Sequence, residues 1–192
     1  MEDQNRPVTG ERIITQNSAV VLRPWEQEDA PTLAEYANNP RIAASLRDVF
    51  PSPYTLDDAN RFIALATGSS SGASADMAPG MLRAIEVNRK FVGGISISLL
   101  DDVYRKTAEI GYWLAEPFWG RGIVTDAVLA LVPVAFERFD IVRLQAGVFA
   151  NNPASMRVLG KCGFTREAVL KNAITKNGIV MDEVMHARFR DE

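Results

Sequence analysis

The apolar positions of this chain fall into two periods. Residues 107–114 alternate, with Ile110, Tyr112 and Leu114 on one side and Glu109, Gly111 and Trp113 on the other. Period two predicts a strand. Residues 19–23 (AVVLR), 81–87 and 91–100 read as strands as well, on β-branched and apolar content. Helical spacing takes over at Val124, Ala127, Val128, Leu131 and Ala135, predicting a helix from Gly122 to about Phe139. Pro133 should kink it. Thr55 is a good N-cap for a helix that places Ala59, Phe62, Ile63 and Ala66 on one face. Asp29 and Pro31 open an earlier helix, and Asn38, Asn39 and Pro40 stop it. Residues 41–49 fit a further short helix.

The connections turn these elements into a topology. Asn88-Arg89-Lys90 and residues 101–106 are turns, so three strands run as an antiparallel meander. The long helix is a crossover, which makes the next strand, residues 142–149, parallel to the one before it. Asn152-Pro153 opens another helix, closed at Cys162-Gly163. Residues 164–170 and 179–189 are the last strands. The expected order is β-α-α-β-β-β-α-β-α-β-β. Residues 1–15 are polar and expected as a flexible tail, with residues 16–192 as one domain. Residues 67–80 (TGSSSGASADMAPG) read as a flexible loop, too short to divide the chain.

Composition narrows the chemistry. The chain has 192 residues, 47% hydrophobic and 23% charged, an ordinary globular balance. A net charge of −3 gives no field to recruit nucleic acid. One cysteine, Cys162, leaves no disulfide framework. One histidine, His186, argues against a histidine-rich metal site and against a Ser-His-Asp triad. The first sixteen residues lack the apolar core of a signal peptide, and no apolar run reaches membrane-spanning length. A cytoplasmic location without membrane contact is the expectation.

The one stretch that points to a ligand lies between the alternating strand and the long helix. Gly120-Arg121-Gly122 turns the chain there. A strand that feeds a glycine turn and then a helix aims backbone N–H groups and the helix dipole at one spot, a site for phosphate or pyrophosphate. A dinucleotide fingerprint would need a third glycine, and a Walker loop would need G-K-[ST]; neither is present.

The segment resembles the acyl-CoA pyrophosphate loop of the GCN5-related N-acetyltransferases, the GNAT superfamily, whose pattern is Q/R-x-x-G-x-G/A. It departs twice: Trp119 stands where the pattern has Gln or Arg, and Val124 where it has a small residue. A bulky first position, Gly-x-Gly and Thr125 are similar to the ribosomal-protein N-acetyltransferase-like (RimJ/RimL-like) branch. With Asn152 to Ser155, Leu159-Gly160-Lys161-Cys162-Gly163-Phe164 and the element order, the resemblance covers residues 17–190.

The resemblance implies a mixed, mostly antiparallel sheet of six to seven strands, splayed at its central parallel pair, with about four helices on both faces (α/β, α+β). It implies acetyl-CoA as acetyl donor, no metal, and direct attack by a primary amine, either a protein N-terminal α-amine or a small-molecule amine. The pantetheine arm would lie in the splay on the backbone of Tyr112, Trp113 and Leu114. The pyrophosphate would sit on the N–H groups of Gly120, Arg121, Gly122, Ile123, Val124 and Thr125, with the Arg121 side chain at the mouth. Asn152 would cap the next helix and contact pantetheine. Ser155 would supply a proton or hydrogen bond to the leaving thiolate. Glu109 would act as base, often through water, with Glu183, Tyr104 and His186 as weaker candidates. A backbone N–H near Leu114 would stabilise the oxyanion.

Plainer roles stand beside these: a solvated Arg121, a simple N-cap at Asn152, a helix-start serine at Ser155 and a solvent-facing Glu109. The acceptor pocket would draw on residues 50–54, Trp113 and residues 172–178, although Phe50 and Tyr54 fit core anchors better. A catalytically degenerate acyl-CoA-binding module and a dinucleotide oxidoreductase are the competing functions. Monomer and homodimer are both compatible with the sequence.

Overall fold

The computed structural model describes residues 11–17, 19–69 and 80–190. Most of the loop expected at residues 67–80 and the first ten residues of the expected tail lie outside them. Among the described residues, thirteen α-helices and strands follow the expected order with two additions. The strands are β1 (Ile13–Ile14), β2 (Val20–Arg23), β3 (Gly80–Val87), β4 (Lys90–Leu99), β5 (Thr107–Leu114), β6 (Arg143–Phe149), β7 (Thr165–Lys176) and β8 (Ile179–Phe189). The helices are α1 (Ala30–Ala37), α2 (Pro40–Ala43), α3 (Leu56–Ala66), α4 (Ile123–Arg138) and α5 (Pro153–Lys161).

Local chemistry accounts for the helix boundaries. Thr55 and Asp58 form a capping box at α3: Asp58 N–H donates to Thr55 Oγ1 at 3.2 Å, and Thr55 N–H donates to Asp58 Oδ2 at 2.8 Å. Asn152 Oδ1 accepts from Ser155 N–H at 3.1 Å and starts α5. Gly163, at φ +79°, ends it. α4 runs through Pro133 as one element of 16 residues. Of the short helix expected at 41–49, only the segment Pro40–Ala43 is helical.

All eight strands join one sheet in the order β1-β2-β3-β4-β5-β6-β8-β7. Every neighbouring pair is antiparallel except β5 and β6. Two corrections to the sequence reading arise here. The expected tail ends sooner, because Ile13 and Ile14 pair with Leu22 and Val21. Residues 172–176 belong to β7 and not to a loop. A bulge between Leu170 and Ile174 absorbs the polar residues there, and only Asn177-Gly178 is left to turn the chain.

The sheet separates two cores. On one face Ile85, Ile97, Ala108, Ile110 and Leu144 pack against Val128, Leu131 and Val132 of α4 and Leu159 of α5. On the other, Trp25, Tyr54 and Phe91 pack with Leu33 of α1 and Ile63 of α3. The period of two in β5 therefore sends Tyr112 to the α4–α5 face and Trp113 to the α1–α3 face.

The feature that makes a site is the parallel pair. Its ladder contains only Thr107↔Arg143, Ala108↔Leu144 and Glu109↔Gln145. Beyond Glu109, β5 stays with β4 out to Leu114↔Gly93, and β6 stays with β8 out to Phe149↔Glu183. The two strands part, and a wedge-shaped gap crosses the sheet between them.

Candidate active site

The gap opens at the N-terminus of α4. From the end of β5 a 3-10 turn, Glu116–Phe118, leads into Gly120 and Gly122, both left-handed at φ +75° and +77°. A Cβ at either glycine would meet nothing within 4 Å. Backbone conformation and free space, not crowding, are what these glycines supply. The first intrahelical bond of α4 runs from Asp126 N–H to Gly122 O, and no side chain caps the helix. The N–H groups of Ile123, Val124 and Thr125 therefore have no acceptor among the described residues, and they point outward with the dipole behind them. This turn fits a phosphate group. Arg121 is exposed, its guanidinium 5.6 Å from the centre of the Phe118 ring.

Trp119 has a role that the sequence did not show. Its indole Nε1 donates to Leu114 O at 2.7 Å, satisfying the last carbonyl of β5. Arg41 lies over its ring at 5.2 Å. Arg41 also pairs with Glu116, which accepts from Asn39 Nδ2 at 2.7 Å. A bulky aromatic at this position thus braces the turn against α2.

On the α4–α5 face, the first turn of α5 reaches β5. Tyr112 Oη lies 2.8 Å from Ser155 Oγ. Burial pushes the Tyr112 phenol up to about 12, so it stays protonated at neutral pH and can donate to Ser155. The serine's own proton is then free for a group in the gap. The two residues stand 43 positions apart and only the fold joins them.

The opposite face carries the carboxylates. Glu109 Oε2 pairs with Arg47 at 3.1 Å, and Glu109 Oε1 accepts from Gln145 Nε2 at 3.4 Å. Arg47 and Asp48 form one wall of a cavity of about 300 Å³, completed by Phe149, residues 173–176 and Glu183. Lys176 is buried in that wall and pairs with Asp48 at 2.6 Å. Of residues 172–178, only 173–176 line this cavity, and they do so from β7. Phe50 and Tyr54 pack together at 4.9 Å, and Phe50 meets Trp113 at 5.8 Å. Tyr54 is buried in the α1–α3 core.

Two other candidate bases sit elsewhere. Tyr104 is exposed in the β4–β5 connection, at the far end of β5 from Leu114. His186 is buried between β6 and β7 with Nδ1 3.2 Å from Val184 O, and burial lowers its pKa.

The family model of the acetyltransferase (GNAT) domain matches residues 19–165. The chain belongs to the GNAT family. Among curated relatives it is similar to YdaF of Bacillus subtilis, whose name assigns it provisionally to ribosomal N-acetylation: 30% identity, over 92% of this chain and 94% of YdaF. Among solved structures it is similar to RimL, a ribosomal L7/L12 α-N-protein acetyltransferase in complex with coenzyme A. The TM-score is 0.78 and identity 26%, over 93% of this chain and 98% of RimL. It is also similar to MccE, a microcin C7 self-immunity acetyltransferase in complex with acetyl-CoA and AMP, at TM-score 0.75 and 26% identity, over 90% and 93%.

This GNAT enzyme is an acetyl-CoA-dependent N-acetyltransferase. The gap, the open helix start and the glycine turn fit that donor. Among the described residues, no helix is long and apolar enough to cross a membrane.

Proposed function

We propose that this enzyme acetylates the N-terminal α-amine of a protein, with the acetyl-CoA thioester held in the gap between β5 and β6. The observation that carries this reading is the two-sided gap. It exposes a hydroxyl pair on the α4–α5 face and carboxylates with an open cavity on the other. Donor and acceptor enter such a slot from opposite faces and meet at the thioester carbon. The names of YdaF and RimL support a protein acceptor. An α-amine also needs less help to deprotonate than a lysine, with pKa values of about 8 against about 10.4.

In this mechanism the phosphates lie on the N–H groups from Gly120 to Thr125, with Arg121 at the mouth, and the pantetheine lies along Tyr112, Trp113 and Leu114. Asn152 fixes where α5 starts and so where Ser155 stands. The amine nitrogen attacks the carbonyl carbon, and the oxyanion is stabilised by a backbone N–H near Leu114. Collapse breaks the carbon–sulfur bond. Ser155 offers its hydroxyl hydrogen to the departing sulfur, and Tyr112 orients it. A thiol of pKa about 8.5 leaves without full proton transfer, so a hydrogen bond suffices. The amine's protons leave on the carboxylate face, where Glu109 and Glu183 stand.

The test is a CoA-release screen over hexapeptides beginning with Ser, Ala or Met, against the same peptides with blocked N-termini, spermidine and free lysine. Mass spectrometry locates the added acetyl group. Acetylation of the free N-terminal peptides at their α-amine supports the proposal. Turnover restricted to spermidine or lysine refutes the acceptor while leaving the family unaffected.

A further inference from the structure

We propose that Glu183, not Glu109, takes the proton from the acceptor amine, with Gly147 shaped to hold its carboxylate at the gap; this rests on the N-acetyltransferase reading above. Gln145 is the last residue of β6 that pairs with β5, and Gly147 lies two residues further on, where the strands have parted. Gln145, Gly147 and Phe149 share the face that carries Glu109, because side chains alternate along a strand. Glu183 stands directly opposite Phe149 on β8 and so points to that same face.

Gly147 supplies the space. A Cβ placed there would lie 2.1 Å from Glu183 Oε1 and 2.8 Å from its Cδ. The carboxylate therefore lies across the strand where a side chain would otherwise stand. A glycine inside a strand marks such a close approach.

The two carboxylates differ in what already holds them. Glu109 is engaged by Arg47 and Gln145. The carboxylate of Glu183 has no hydrogen-bond or ion-pair partner among the described residues. The groups facing the cavity beside it are Arg47, Asp48 and Lys176, and each of these is paired elsewhere: Arg47 with Glu109, Lys176 with Asp48. A half-buried carboxylate in a walled cavity, left without a cation, is complementary to an incoming ammonium group. Glu183 would bind that ammonium, accept one proton from it and leave the lone pair to attack. Glu109 is then a positioning residue that anchors the 47–48 segment through Arg47.

The experiment compares wild type, Glu183→Gln, Glu109→Gln and Gly147→Ala on the best-turned-over amine of the panel above. Which amine wins tests the acceptor reading; the ratio of variant to wild type tests this one. Glu183→Gln should lower kcat/KM by about a hundredfold at pH 7, the low end of the range for general acid–base catalysis. The deficit should shrink at least several-fold by pH 9.5, where an α-amine arrives unprotonated. Acetyl-CoA affinity and melting temperature should hold. Glu109→Gln should cost less than tenfold, with no such pH rescue. Gly147→Ala displaces only the flexible end of Glu183, so the enzyme should fold, bind acetyl-CoA normally and show a raised KM for the amine. A Glu183→Gln ratio within threefold of wild type overturns the proposal, as does a deficit constant with pH or a Gly147→Ala enzyme with unchanged amine KM.

Discussion

Ser155→Ala is the perturbation whose size the structure fixes best. Ser155 Oγ has one fixed partner, Tyr112 Oη at 2.8 Å, and in the proposed mechanism the serine proton goes to the leaving sulfur. Losing a hydrogen bond to a group that can depart without full protonation costs near the low end of general acid catalysis, about tenfold to a hundredfold in turnover. That corresponds to about 1.4–2.7 kcal/mol on the barrier. Tyr112→Phe removes only the orienting bond, worth about 1 kcal/mol net, so turnover should fall about fivefold. The double variant should be no slower than Ser155→Ala, because with Oγ gone Tyr112 has nothing to orient.

Stability should follow a different order. In Ser155→Ala the partly buried Tyr112 hydroxyl keeps only the Ser155 carbonyl at 3.4 Å, a poor bond, and the loss should reach about 1–3 kcal/mol. The double variant should recover part of it. Asn152→Ala loses the cap bond to Ser155 N–H and should cost about 1 kcal/mol while also weakening donor binding. The assay is single-turnover acetyl transfer at saturating acetyl-CoA, which separates chemistry from product release, with urea unfolding of each variant. A Ser155→Ala enzyme that transfers within threefold of wild type would refute the leaving-group role. So would additive losses in the cycle.

Two more predictions probe the donor site and the buried phenols. Gly122→Val should weaken acetyl-CoA binding at least tenfold by calorimetry; Gly68→Val, also left-handed at φ +70° with nothing within 4 Å, should share the backbone cost of about 1–2 kcal/mol but keep its affinity. Burial pushes Tyr54 and Tyr112 up to about 12 and the Cys162 thiol up to about 11. These groups lie above their ordinary values of about 10 and about 8.5, so the folded state keeps protons that the unfolded chain releases. Their contribution is intact below those ordinary values and is lost as pH rises toward the folded ones, each at up to about 1.4 kcal/mol per pH unit. Urea midpoints should be flat to about pH 8.5 and fall above it, less steeply in Tyr54→Phe; a midpoint unchanged to pH 11 would show that these groups do not differ between the two states.

What the sequence revealed and what it hid divide along one line. Caps, turns and periods are local, so Thr55, Asn152, Gly163 and the alternation of β5 could be read directly. The gap is a matter of pairing between strands, and only the resemblance pointed to it. The Tyr112–Ser155 bond and the Arg47–Glu109 pair join residues 43 and 62 positions apart, beyond any local signal. Trp119 stood out as a departure from the family pattern, but its bond to the Leu114 carbonyl required the turn to be built. One signal was present and unused: Gly147, isolated inside the apolar strand Arg143–Phe149, is the mark of a close approach. The strand expected to end at residue 170 runs on to Lys176, because a bulge lets a strand carry polar residues that pattern alone assigns to a turn.

The site depends on consecutive residues of β5 serving opposite faces, and that makes register its chief vulnerability. A slip of one residue would carry Tyr112 away from Ser155 and turn Glu109 into the α4–α5 core. The neighbouring strand guards against it. In the apolar run of β4, Gly93 and Gly94 stand opposite Leu114 and Trp113. A Cβ on Gly93 would fall 2.4 Å from the Trp113 carbonyl oxygen, and one on Gly94 would fall 2.9 Å from the Trp113 indole nitrogen and 3.1 Å from Trp25. The first contact is with backbone, which cannot swing aside, so no β4 residue that carries a Cβ can occupy that place opposite β5. The second lets Trp113 lie over β4, where it meets Phe50 and Phe91 on the α1–α3 face. The glycines that weaken β4 as a strand by propensity thus make room for β5 in the register that sends the hydroxyl pair to one face of the gap and the carboxylates to the other.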